Sequence, residues 1–159
     1  MACGLLAVQT MGKHAKIAER FADRDRTSRW HPCYVEYFHL FNAQAYYEAH
    51  DVLEHIWLGS DGERYTFYKA LIQFAGGYVH LQHHHREPEH RIHGRRLRPA
   101  ARLFRRSAEL LGNFSDQHEG IEIEEIVALA LRMAESLEEA AFADNPWSPE
   151  NPPRLALPD

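Results

Sequence analysis

Cysteine is scarce in this chain: Cys3 and Cys33 are the only two among 159 residues. They form no CxxC spacing and no disulfide framework, which fits a reducing, cytoplasmic setting and excludes a disulfide-stapled scaffold. Long apolar runs are missing as well. No window approaches the roughly 18 consecutive apolar residues that a membrane-spanning helix needs, so no membrane association is expected. The apolar Met1–Thr10 run has no basic residues ahead of it, which argues against a secretory signal, and Met11 is an alternative start. The chain also has no Gly-rich phosphate loop, no GxSxG and no reactive-cysteine context, which removes the nucleotide-loop and common nucleophile-elbow classes.

What remains is 45% hydrophobic and 26% charged, enough for one domain with a real core. The net charge of −5 is unevenly spread. Residues 86–106 hold eight arginines against two glutamates, locally +6, and the other 10 basic and 21 acidic residues sum to −11. The whole-chain charge argues against nucleic acid, while the local patch keeps a phosphate or RNA role open. Nothing in the sequence fixes the oligomeric state, which leaves room for a homo-oligomer.

No internal repeat and no convincing strand alternation is present, and the expected class is all-α: a single bundle of about five helices. Residues 1–30 read as an N-terminal arm, partly ordered, with a polar and partly helical stretch from Lys13 to Arg26. The bundle proper spans 31–142 and a proline-rich arm spans 143–159, with five prolines in the last fifteen residues. Pro32 suits the first position of a helix that runs to about Leu40. Asn42 interrupts, a second helix follows from about Ala43 to Leu58, and Gly59-Ser60-Asp61-Gly62 is a turn. A long helix is predicted from about Glu63 to His85, then a His/Arg-rich loop or broken helix from Arg86 to Arg98. Pro99 opens a helix that stops near Gly112-Asn113. Ile123, Ile126, Val127, Ala130, Ala134, Leu137 and Ala141 recur at helical spacing and predict a last helix from Ile121 to Ala141.

The second helix carries the most informative pattern. With His50 at the origin of a helical wheel, Glu54 lies at about 40° and Tyr47 at about 60°. On the other side Trp57 lies at about 340° and Tyr46 at about 320°. His50 and Glu54 are therefore stacked one turn apart among aromatic residues, where burial is costly unless the groups are paired or bound to a metal. Asp51, His55 and Glu48 fall at about 100–160°, a direction that reads as solvated. On the third helix Gln73, Gly76, Gly77, His80 and His84 form a comparable stripe. The helices should be antiparallel neighbours, so His50 and Glu54 are expected to face Gln73 and His80.

Three uses of these residues compete. One is a hydrogen-bonded network that fixes helix register. Another is a divalent-metal site such as zinc or iron, with His50, Glu54 and His80 as ligands. The third is an acid–base or ligand pocket with His50 and Glu54 as the catalytic candidates. In the last two, Gln73 would orient the ligands while Trp57 and Tyr47 wall the pocket.

The run Phe41-Asn42 to Trp57 resembles the signature FN-x3-[FY]-[FY]-EAHE-x-LE-x2-W of the family called domain of unknown function 309. Asn42, Tyr46, Tyr47, Glu48, Ala49, His50, Leu53, Glu54 and Trp57 fall on it, and Asp51 replaces its second glutamate. Leu71-Ile72-Gln73-Phe74-Ala75 is similar to the family's QGLIQ-x-A stretch, with Lys69 and Ala70 in place of Gln and Gly and with His80 near its histidine. Gly94-Arg95-Arg96 stands where the family has a glycine-asparagine turn. The likeness spans about residues 35–112 and implies a small helical bundle. It supplies no function.

Two further tracts are candidates. His80, His83, His84, His85, His90 and His93 form a histidine-rich tract that could take up metal or simply be solvated. Arg98, Arg102, Arg105 and Arg106 align on one side of the helix after Pro99 and could hold phosphate or RNA, although no aromatic residues interleave them. Trp30 and Trp147 are expected to clamp the terminal arms.

Overall fold

A computed structural model describes residues 29–159. The expectations for Cys3, Met11, Lys13–Arg26 and the rest of residues 1–28 lie outside the described residues. Among the described residues five α-helices follow one another: α1 Pro32–Asn42, α2 Tyr46–Trp57, α3 Gly62–Arg86, α4 Leu97–Leu111 and α5 Ile123–Glu139. Each packs against its neighbour in sequence, giving an all-α bundle. A 3₁₀ turn, His93–Arg95, lies in the loop before α4. Among the described residues no helix is long and apolar enough to cross a membrane.

The ends of these helices show which local signals dominate. His31 caps α1, its Nδ1 accepting the Cys33 N–H at 3.1 Å, and Pro32 follows in the first turn. The α1–α2 break falls later than Asn42. Gln44 adopts φ +62°, and the Gln44 and Ala45 N–H groups bond the carbonyls of Phe41 and Leu40. This is the double bond of a left-handed helix stop, built here without glycine. The second helix therefore begins at Tyr46, three residues later than expected, and Asn42 is the last residue of α1.

One small departure from all-α lies before α5. Gln117–His118 pairs antiparallel with Ile121–Glu122 across the two-residue turn Glu119-Gly120, whose φ values are 48° and 77°. Two positive φ angles in succession suit the right-handed twist of a tight hairpin. The sequence offers Glu-Gly there rather than Asn-Gly, which hides the signal. The hairpin takes the two residues assigned to the start of the last helix, so α5 opens at Ile123.

The core is aromatic. Tyr34, Tyr37, Phe38 and Phe41 of α1, Tyr46 of α2, Phe67, Phe74 and Tyr78 of α3 and Phe104 of α4 are fully buried. Most of the buried tyrosines have their hydroxyls satisfied, as burial requires. Tyr37 donates to the Leu71 carbonyl at 2.6 Å and Tyr34 to the Glu119 carbonyl at 2.8 Å. The C-terminal arm closes one side of this core. Trp147 is buried and donates from Nε1 to the Tyr46 hydroxyl at 3.0 Å. Asn42 grips the arm like a short strand, its amide bonding both the carbonyl and the N–H of Leu155 at 2.8 Å. Trp30 bonds the Asp159 carbonyl at 2.7 Å, so both tryptophans hold the arm in place.

Candidate metal centre and its surroundings

On α2 the side chains of His50, Asp51 and Glu54 converge. Their ligand atoms all lie within 4.8 Å of one another. His50 Nδ1 is 3.3 Å from an Asp51 oxygen and 3.5 Å from a Glu54 oxygen. The spacing i, i+1, i+4 puts the glutamate one turn above the histidine with the aspartate beside it. Tyr47 lies nearly parallel to the His50 ring, 6.3 Å away and one turn earlier. His50 and Glu54 are about one-third exposed, so the cluster is reachable from solvent.

Two expectations change here. Asp51 does not sit on a solvated face: it is only 8% exposed and joins the cluster. A wheel gives the direction of a side chain from its own axis but not what lies over that direction. The signal that could have found Asp51 is its place in the signature, where it keeps a carboxylate in the position of the second glutamate. The other change concerns His80, which does not meet His50 and Glu54. The stripe Gln73, Gly76, Gly77 and His80 faces α4 rather than α2. A Cβ on Gly77 would come within 2.6 Å of the Phe104 ring, and one on Gly76 within 3.2 Å of Leu103. The two glycines let α4 press against α3, and this contact fixes the rotation of α3. Across the α2–α3 contact Tyr46 stacks on Tyr78 and Trp57 packs on Tyr65, with ring centroids 5.2 and 4.9 Å apart. Trp57 lies about 10 Å further along the axis than His50 and one turn beyond Glu54, with its ring on Tyr65. Gln73 is half-buried, and its Oε1 has no hydrogen-bond partner among the described residues.

His80 belongs to a different group. Arg96 bonds His93 Nδ1 through Nε at 2.9 Å and lies 3.1 Å from His80 Nδ1 through Nη1. Burial, together with Arg96, His83 and Arg102, pushes the His80 pKa down to about 4. A histidine that stays neutral in the fold adds stability above its unfolded pKa near 6.5, and loses it as pH falls toward 4. A shift of that size corresponds to about 3 kcal/mol, which solvent screening at this partly open site reduces to about 1–2. His80→Gln, which keeps an acceptor for Arg96 but cannot protonate, is therefore expected to lose about 1–2 kcal/mol less than wild type between pH 7 and pH 4. Urea unfolding at the two pH values measures this. Equal losses in both proteins would remove His80 from the account.

The histidine tract also brings Glu87, His90 and His93 within 4.8 Å. Their hydrogen bonds suit metal less well. His90 Nδ1 accepts the N–H groups of Ile92 and His93 at 3.1 Å, and His93 Nδ1 accepts from Arg96. A neutral imidazole that accepts at Nδ1 carries its proton on Nε2, so the nitrogen left facing outward is the protonated one. His50 presents the opposite case, with Nδ1 directed at two carboxylates.

Comparison with curated proteins and with solved structures returns no match. The family model described as Domain of unknown function (DUF309) matches residues 34–91, the stretch that holds nearly all of α1, the whole of α2 and α3, and the His50–Asp51–Glu54 cluster. Over these residues the chain is similar to the DUF309 family.

Proposed function

We propose that this protein binds one divalent transition metal, such as zinc or ferrous iron, on His50, Asp51 and Glu54. The observation that carries the reading is the convergence of an imidazole and two carboxylates on one helix. His50 Nδ1 lies 3.3 and 3.5 Å from the two carboxylate oxygens. Tetrahedral ligands at about 2.1 Å from an ion are separated by about 3.4 Å, which both distances from His50 match, and the two carboxylate oxygens lie within 4.8 Å of each other. One imidazole nitrogen and two carboxylate oxygens form a borderline-to-hard donor set whose two negative charges balance a divalent cation. Partial exposure of His50 and Glu54 would leave the remaining coordination positions open to water or a substrate. A bound ion there would supply Lewis-acid chemistry, and the residues of this chain would hold and orient it.

The same distances support a second reading, in which a proton replaces the metal. Nδ1–H would then be shared between Asp51 and Glu54, and the Nε2 lone pair would serve as a general base. Elemental analysis and titration with Zn²⁺ and Fe²⁺ on untagged protein separate the two. His50→Ala and Glu54→Gln are each expected to weaken binding at least about tenfold, while a His90→Ala/His93→Ala variant binds as wild type. Equal metal content in wild type and His50→Ala would overturn the metal reading. If His50→Ala in addition lowers stability by about 1–3 kcal/mol, the cluster is a structural network that fixes helix packing.

A further inference from the structure

The structure divides the arginine stripe of α4 into two kinds of side chain. Arg105 is bonded twice to Glu138 of α5, at 3.0 and 2.7 Å, and Arg106 pairs with Glu109 at 3.0 Å. Their charges are matched. Arg98 and Arg102, one turn apart on the same helix, have no carboxylate partner among the described residues. All four line a groove of about 400 Å³ between α4 and the end of α5, with Ala101 and Phe142 as its apolar lining. Four arginines against Glu109 and Glu138 leave the groove at +2.

Phe142 holds one of the two unmatched cations in place. The Arg98 guanidinium lies over its ring, 4.3 Å from the centroid. Such a contact orients a guanidinium without neutralising it. The ring reaches that position because α5 ends in two successive left-handed residues, Ala141 at φ 49° and Phe142 at φ 60°. Their N–H groups bond back to the carbonyls of Glu138 and Leu137.

We propose that this groove binds the phosphate dianion of a small phosphomonoester, with Arg98 and Arg102 as its ligands. A phosphate near pH 7 carries between −1.5 and −2 charges, which matches the excess of +2 in the lining, and guanidinium forks bind its oxygens in pairs. A carboxylate needs only one guanidinium, as Glu138 shows on Arg105. The volume lies within the range of small-molecule pockets and leaves room beside the phosphate for a body resting on Ala101 and Phe142.

NMR titration of the full chain with inorganic phosphate, with adenosine monophosphate and with a single-stranded oligoribonucleotide tests this. Both small ligands are expected to saturate with dissociation constants on the order of 1 mM. Arg98→Gln/Arg102→Gln should weaken both at least about fivefold, and Glu138→Gln, which releases Arg105, should tighten both about twofold. Residues 98–106, 138 and 142 should carry the shifts, and His50→Ala should bind as wild type, separating this groove from the α2 cluster. Absence of saturation by either small ligand to about 20 mM, or binding unchanged in the double variant, would overturn the proposal. Tight oligoribonucleotide binding without phosphate or monophosphate binding would overturn it too, by making the stripe a nucleic-acid face.

Discussion

Trp147→Ala is expected to lower the unfolding free energy by about 3–5 kcal/mol, the largest effect of any change outside the helices. The side chain is 5% exposed and sits edge-on to Tyr46, with ring centroids 5.9 Å apart. Its removal opens a cavity against an aromatic core and takes away the Nε1–H that reaches the Tyr46 hydroxyl. Most of that loss comes from apolar burial rather than from the hydrogen bond. Trp147→Phe separates the two, because it keeps much of the buried surface and should cost only about 1–2 kcal/mol. Urea unfolding gives both values. The arm beyond Trp147 is held by Asn42 and Trp30, so limited proteolysis should cut within residues 148–159 of Trp147→Ala well before it cuts wild type. A loss below about 1 kcal/mol would mean that the arm does not cover the core.

Gly77→Ala is the second large effect, and its sign runs against helix propensity. In an exposed helix alanine would add about 1 kcal/mol over glycine. Here the new methyl would stand 2.6 Å from two carbons of the Phe104 ring. That ring is fully buried and boxed by Tyr78 and Phe74, with centroids 4.9 and 6.0 Å away, so it cannot swing aside. Overpacking of this kind costs about 1–3 kcal/mol, and after the propensity gain the net expectation is a loss of up to about 2. Gly76→Ala is the control. Its methyl meets only the tip of Leu103 at 3.2 Å, a flexible and half-buried side chain, and should be neutral or slightly stabilising. Comparable losses at both positions would contradict the close α3–α4 contact.

These two positions also mark the boundary of what the sequence can say. Periodicity reads α5 well because Ile126, Ala130, Ala134 and Leu137 return at helical spacing and are buried. The turn at residues 59–62 and the start of α1 at Pro32 were legible from local backbone chemistry alone. Gln44 and Glu119 were not. Both hold left-handed backbone without being glycine or asparagine, stabilised by bonds to carbonyls on other turns or by distant groups such as Tyr34. Asn42 reads locally as a helix stop, yet its side chain serves Leu155, 113 residues away. No local rule contains that pairing.

The candidate site divides in the same way. That His50 and Glu54 lie one turn apart follows from the helix itself, so the sequence determined that half of the cluster. The fold class, the aromatic makeup of the core and the unusual charge of residues 86–106 were likewise set by the order of residues. The partner of His50 was not. Whether Gln73 and His80 turn toward α2 or α4 depends on the rotation of α3, and the fit of Phe104 against Gly77 decides it. Whether Asp51 is buried depends on what covers it, and which arginines keep their charge depends on where α5 places Glu138. A helix fixes the angles between its own side chains; only packing fixes what stands opposite them.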